Sequence, residues 1–173
     1  MNLESSIRQA TLNDRPTLRE IIDLSFPRFF RFFAHHSLDT EEGKVLVSES
    51  ENAVAGFAKL IEFNIGGNKY GCILWLAVSP EHRQKGIASA LVEAAVDNLK
   101  NDGAGAVFAS VRRRNKASLA TFSKENFGRM SFWGLWRLFR FKVFSFYKQI
   151  WYAPGEIVLM HDPKKKYGRE SRI

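Results

Sequence analysis

The segment Arg83–Gln84–Lys85–Gly86–Ile87–Ala88 carries the most specific chemical signal in the chain. It follows an apolar run that ends at Val78–Ser79–Pro80 and opens a stretch with an apolar helical face. The first amides of a helix have no intrahelical partner and stand at the positive end of its dipole. Gly86 and Ala88 lack bulk, so an anion can approach that backbone closely, and Arg83 and Lys85 add positive charge. These residues describe an anion site suited to phosphate or pyrophosphate. A lone G-x-A is weak, because a basic helix start after a proline turn gives the same letters. The whole unit of apolar strand, proline turn, Arg83-x-x-Gly86-x-Ala88 and amphipathic helix is more specific.

The elements that must position this turn read clearly around it. Tyr70 to Val78 is a nearly continuous apolar run, so it predicts a central strand covered on both sides. Residues 86–100 are predicted as a helix, with Ala88, Leu91, Val92, Ala95 and Leu99 on one face. Upstream, Ile7 to Thr11 reads as a short strand. Leu18, Ile21, Ile22 and Phe26 recur at helical spacing until Pro27. Phe29, Phe30, Phe32 and Phe33 then follow as a second short helix or loop. Lys44 to Ser48 and Ala53 to Asn64 read as strands, with a hairpin closed by Gly66–Gly67–Asn68. Downstream, Ala106 to Val111 is a buried strand, residues 115–125 a helix, and Glu156 to Met160 a last strand. This order describes an α/β domain with a mixed sheet.

Composition is consistent with that reading. The chain has 173 residues, enough for one domain with a sizeable core. Its net charge of +8 favours anionic partners. The single cysteine, Cys72, cannot form an internal disulfide, which suits a reducing cytoplasm. Residues 1–7 have no apolar core of a signal peptide, and no long charge-free apolar run reads as a membrane span. No residue is assigned to a metal.

With both flanks in view, the sequence resembles the GNAT acetyltransferase superfamily. Arg83, Gly86 and Ala88 match its signature Gln/Arg-x-x-Gly-x-Gly/Ala after a V-x-P strand end. A second signature matches at Asn115, Lys124 and Phe127, with the spacing kept. The resemblance runs from Ile7 to about Gly128. It implies a single-domain fold over residues 1–162, with a mixed central sheet splayed at the cofactor site and flanked by helices; the charge distribution separately marks 163–173 as a basic tail. It also implies an acetyl-CoA-dependent N-acetyltransferase that moves the acetyl group directly to a primary amine of a small molecule, peptide or protein. Leu76, Ala77 and Val78 would then offer backbone groups to the pantetheine arm. The stretch Gln84, Lys85, Gly86, Ile87, Ala88 and Ser89, with Arg83 beside it, would hold the pyrophosphate, and Asn115 would contact the arm.

The chain departs from the family at Phe122, where a tyrosine hydroxyl often stands as general acid near the leaving sulfur. Phenylalanine cannot donate a proton. Tyr152 or Tyr147 is an alternative hydroxyl. For the general base, Glu62 is the best-placed carboxylate in sequence, in the strand before the central one. The plainer reading of Glu62 is an exposed strand glutamate. His35 and His36 have a suitable ordinary pKa, and the plainer reading there is a surface loop.

Residues 129–152 read as an aromatic-basic insertion. Three roles compete, in this order: core and substrate wall, a homodimer interface within 132–152, and a membrane surface. The first predicts a helix from Ser131 to about Phe139 and then a strand alternating Phe139, Phe141 and Val143 against Arg140 and Lys142. Two other functions stay open: a catalytically weak or silent acyl-CoA sensor, and a basic nucleic-acid binder. One focused phosphate cradle argues against the latter.

Overall fold

The computed structural model describes residues 6–40, 42–50 and 53–162. The chain order is β1 (Ser6–Gln9), α1 (Arg15–Ser25), α2 (Arg28–Asp39), β2 (Lys44–Ser50), β3 (Ala53–Ile65), β4 (Asn68–Val78), α3 (Ile87–Asn101), β5 (Ala106–Arg112), α4 (Lys116–Lys124), β6 (Phe127–Arg129), α5 (Phe132–Phe139), α6 (Val143–Gln149) and β7 (Glu156–His161). Seven strands form one sheet in the order β1-β2-β3-β4-β5-β7-β6. Among the described strands only β4 and β5 pair in parallel, so the sheet is mixed. The basic tail expected at 163–173 lies outside the described residues.

Helices cover both faces. The buried side chains of α3, Leu91, Val92, Ala95 and Leu99, pack with Leu60, Ile73, Val107 and Ala109 in one core that also takes in Phe122 of α4. Burying such aliphatic side chains stabilises by roughly 2 kcal/mol each before chain entropy is counted. Gly71 of β4 makes the contact close. A Cβ there would sit 2.9 Å from the Leu99 methyls. On the other face, α1 and α2 pack Leu18, Ile22 and Ala34 against Val47, Phe57 and Ala77. There too, Leu135 of α5 and Val143 and Phe146 of α6 pack with Phe63, Tyr70 and Phe108.

The segment after β6 corrects one expectation. No strand runs through Phe139 to Val143. The buried residues Leu135, Phe139, Val143, Phe146 and Ile150 follow helical spacing across α5 and α6, and Arg140 breaks the two helices at φ +51°. Phe141 is 84% exposed, so the alternation Phe139–Phe141–Val143 does not mark one buried face. The short strand β6 and the extension of α2 to Asp39 also went beyond the sequence reading.

The start of α1 is pinned to the sheet edge. Arg8 of β1 donates to both carboxylate oxygens of the buried Asp14, at 2.8 and 2.9 Å. Asp14 also accepts from the Thr11 amide and hydroxyl, at 2.7 and 2.9 Å. The Arg8 guanidinium holds the Asp14 carboxyl well below the usual carboxylate range. A depressed folded pKa gives stability that is complete above the unfolded pKa of about 4 and is lost as pH falls below it. Arg8 is partly solvated, which weakens the effect. Asp14→Asn is expected to lower Tm by about 3 °C at neutral pH. The gap from the parent protein should narrow in melts taken below about pH 4. A gap independent of pH would show that the ion pair is not its origin.

Candidate active site

A cleft of about 830 Å³ opens where β4 and β5 part. Their pairing runs only from Tyr70↔Ala106 to Ile73↔Ala109. At that level β4 carries an extra residue: Trp75 faces Lys59 and Ile73 faces Leu60, so Leu74 is bulged. A bulge bends and twists its strand, and β4 turns away from β5. From there β5 pairs only with β7, as far as Arg112↔Glu156. The edge of β4 facing the gap, Leu74 to Val78, therefore has no strand beside it. The backbone groups on that edge are available to an extended ligand, apart from the Val78 carbonyl, which accepts from Arg83.

The expected anion turn stands at one end of this gap. Gln84 and Gly86 both take left-handed backbone conformations, at φ 62° and 82°. Gly86 is the N-cap residue of α3. A Cβ on Gly86 would meet no atom within 4 Å, so the turn faces open space, as a phosphate cradle requires. Arg83 donates to the Val78 carbonyl at 3.2 Å and to Ser25 Oγ at 3.4 Å, tying the turn to β4 and α1. Leu76, Ala77, Val78, Arg83, Gln84, Gly86, Ile87, Ala88, Ser89 and Asn115 all line the cleft. Lys85 does not; its side chain is exposed beside the turn. Asn115 Oδ1 accepts from the Ser118 amide at 3.1 Å and so caps α4. The lining side chains Trp75 and His82 each hold a buried nitrogen, Nε1 and Nδ1, with no partner among the described residues. These features fit a pyrophosphate with an extended polar arm.

The far side of the cleft is walled by Phe26, Phe30, Ile150 and Trp151. Phe26 meets Trp75 edge-on at 5.3 Å, and the Arg112 guanidinium lies 5.0 Å from the Phe30 ring centre. Among the described lining residues, Glu156 is the single acid. Its Oε2 accepts from Ser110 Oγ at 2.6 Å and from the Ala153 amide at 3.0 Å. The sequence reading missed this group. Its only local signal was its place at the start of the last strand.

The two catalytic candidates read from sequence lie elsewhere. Glu62 sits opposite Gly71, which packs on Leu99 near the far end of α3, and it pairs with Lys69 at 2.5 Å. Leu99 is thirteen residues from Gly86, about 20 Å along a helix. Glu62 thus lies outside the cleft that holds the Gly86 turn, as an ion-paired carboxylate. Tyr152 also lies off the cleft: its hydroxyl donates to the Glu156 carbonyl at 3.3 Å, and its ring rests on Tyr147 at 4.7 Å. Burial raises the Tyr147 hydroxyl pKa, and Tyr147 does not line the cleft either. His35 is bound to Asp23 at 2.9 Å, and His36 stacks on Trp151. Phe122 does line the cleft, packed edge-on against Phe127 at 5.0 Å. The hydroxyls lining the cleft belong to serines and to Thr121, which donates back to Ala117 at 3.2 Å.

The chain is similar to known acetyltransferases. The family model described as Acetyltransferase (GNAT) family matches residues 10–128. An N-alpha-acetyltransferase of Saccharolobus solfataricus is 29% identical over 132 residues, covering 70% of this chain and 79% of that protein. The ribosomal-protein-S18-alanine N-acetyltransferase of Escherichia coli superposes with a TM-score of 0.63 at 19% identity, over 98% of this chain and 99% of that one. The PaiA N-acetyltransferase of Thermoplasma acidophilum, solved with coenzyme A, gives 0.63 at 15% identity, over 92% and 99%. Acetyl-CoA-dependent acetyl transfer is the general reaction of the group. The chain belongs to the GNAT acetyltransferase family.

Proposed function

We propose that this protein transfers the acetyl group of acetyl-CoA to a primary amine, with Glu156 accepting the amine's proton. The observation that carries the reading is the continuity of one cleft from the Gly86 turn, along the open edge of β4, to Glu156. Acetyl-CoA bound there supplies a thioester carbonyl, which an amine attacks with release of the free thiol. The Gln84–Ser89 turn and Arg83 hold the pyrophosphate, and Leu76 to Val78 offer backbone hydrogen bonds to the arm. An amine is protonated near neutral pH and becomes a nucleophile only when it loses that proton. Glu156 is fixed by two donors on Oε2, which leaves Oε1 to take it. Phe122 offers no proton to the leaving sulfur, so water supplies it.

Among amines, the α-amine of a peptide or protein N-terminus is the acceptor class we favour. An N-alpha-acetyltransferase is the relative matched over most of the chain. The aromatic wall of Phe26, Phe30 and Trp151 gives an apolar seat for a residue next to that amine. We place the reaction in the cytoplasm, where the buried unpaired Cys72 stays reduced.

Acetyl-CoA at about a hundred times its Kd is expected to raise Tm by about 5 to 10 °C, and acetate alone to leave it unchanged. No shift at millimolar acetyl-CoA would sink the reading. Thiol release should then be measured across peptides with free or blocked N-termini, polyamines and small amines. Phe122 favours one second reading, a silent acyl-CoA sensor. Tight cofactor binding without thiol release from any amine would select it.

A further inference from the structure

We propose that the outer face of α5 and α6 docks this protein on an anionic lipid surface. The inner residues of these helices complete the core, but their outer side is also apolar. Phe132, Trp133, Leu138, Phe141 and Phe144 are between 43% and 84% exposed. The rings of Phe132, Trp133 and Phe141 are not scattered. Phe132 touches Trp133 and Trp136, and Trp136 touches Phe141, with ring centres 5.2 to 6.2 Å apart. A contiguous exposed apolar patch on a folded domain marks an interaction surface.

Charge decides the kind of partner. No carboxylate occurs in the sequence between Asn126 and Gly155, while Arg129, Arg137, Arg140, Lys142 and Lys148 do. All five bases are exposed, and none forms an ion pair with another described residue. Exposed aromatic and aliphatic side chains interleaved with bases are the composition of a helix that lies in a membrane interface. The aromatic tips enter the acyl boundary and the bases meet anionic headgroups, each contributing about fivefold in binding.

The same features disfavour other occupants. A two-fold dimer through this face would set its uncompensated bases against their own copies. A single-stranded nucleic acid needs rings laid open for stacking. Here Phe132 packs edge to face on Trp133 at 73° and Trp136 on Phe141 at 76°, Phe132 is tilted 32° from Trp136, and Leu138 has no ring at all. No helix among the described residues is long and apolar enough to cross a membrane, so the surface lies on the bilayer rather than through it.

The test is co-sedimentation of the full chain with vesicles of phosphatidylcholine alone and of phosphatidylcholine mixed with phosphatidylglycerol, over a salt series. Binding is expected only to the mixed vesicles and should weaken as salt rises. The triple variant Trp133→Ser, Phe141→Ser, Phe144→Ser should bind at least tenfold more weakly while keeping its thermal shift with acetyl-CoA, since none of the three lines the cleft. Arg140→Glu with Lys142→Glu should abolish the preference for anionic vesicles. The proposal is overturned if the parent protein does not pellet with mixed vesicles, or if the triple variant pellets equally well. It is also overturned if the variants instead lose a dimer or an oligonucleotide complex that the parent forms without binding vesicles.

Discussion

Glu156→Gln is expected to lower kcat by about a thousandfold while leaving acetyl-CoA binding unchanged. Proton transfer by a positioned base contributes roughly a hundred to ten thousandfold, and a thousandfold is about 4 kcal/mol of barrier. The substitution is nearly isosteric. The amide oxygen of glutamine can still accept from Ser110 Oγ and the Ala153 amide, which now hold Oε2 at 2.6 and 3.0 Å. The loop before β7 should therefore keep its shape, and Tm should fall by no more than a few degrees. What is lost is a group that takes a proton. Stability makes the distinction. With Glu156 as base, the variant should lose turnover while keeping its Tm and its thermal shift with acetyl-CoA. If Glu156 only braced the loop, the variant would melt earlier and its loss of turnover would follow the loss of stability. Ser110→Ala gives the graded comparison, because it removes one donor and leaves the carboxylate. A loss well below that of Glu156→Gln is expected.

How much of this site the sequence disclosed depended on the range of each interaction. The Gly86 turn was readable because its parts are local: a strand end, a proline turn and a helix start within about ten residues. The apolar face of α3 was readable because Leu91, Val92, Ala95 and Leu99 follow a 3.6-residue period, and all are buried. Glu156 was hidden because its meaning comes from Ser110, forty-six residues away, through the antiparallel pairing of β5 and β7. Glu62 misled for a related reason. Its strand was predicted, but a strand assignment does not say how far along the sheet a residue lies from the point where β4 and β5 part. That point is set by the bulge at Leu74, a feature of register that no letter announces. In the aromatic-basic segment the error was one of period. Phe139 and Val143 fit both alternation and a helical turn, and only the exposure of Phe141 and the burial of Phe146 and Ile150 separate the two.

Gly86→Val is expected to weaken acetyl-CoA binding by about a hundredfold, about 2.7 kcal/mol. Two effects act together. At φ +82° a β-branched residue is far outside its allowed region, so the turn must either hold strain of roughly 1–3 kcal/mol or relax toward negative φ. Relaxation re-aims the first amides of α3 away from their common point. If the backbone holds instead, the new methyls stand in the open space that the cradle needs, where a Cβ now has no neighbour within 4 Å. That same emptiness means the variant meets no clash in the free protein, so it should fold with a Tm only a few degrees lower. Gly86→Ala should fall between, with a loss of about tenfold, since one methyl strains the turn by about 1 kcal/mol and adds less bulk. Lys85→Ala separates geometry from charge. The Lys85 side chain is exposed beside the turn and does not line the cleft, so its removal should cost less than about threefold. If Lys85→Ala instead matched Gly86→Val, the anion would be held by side-chain charge, and the backbone cradle would be the wrong account of donor binding. The order Val, then Ala at 86, then Ala at 85, read from acetyl-CoA titrations of the melting temperature, is what a cradle of helix N-terminal amides requires.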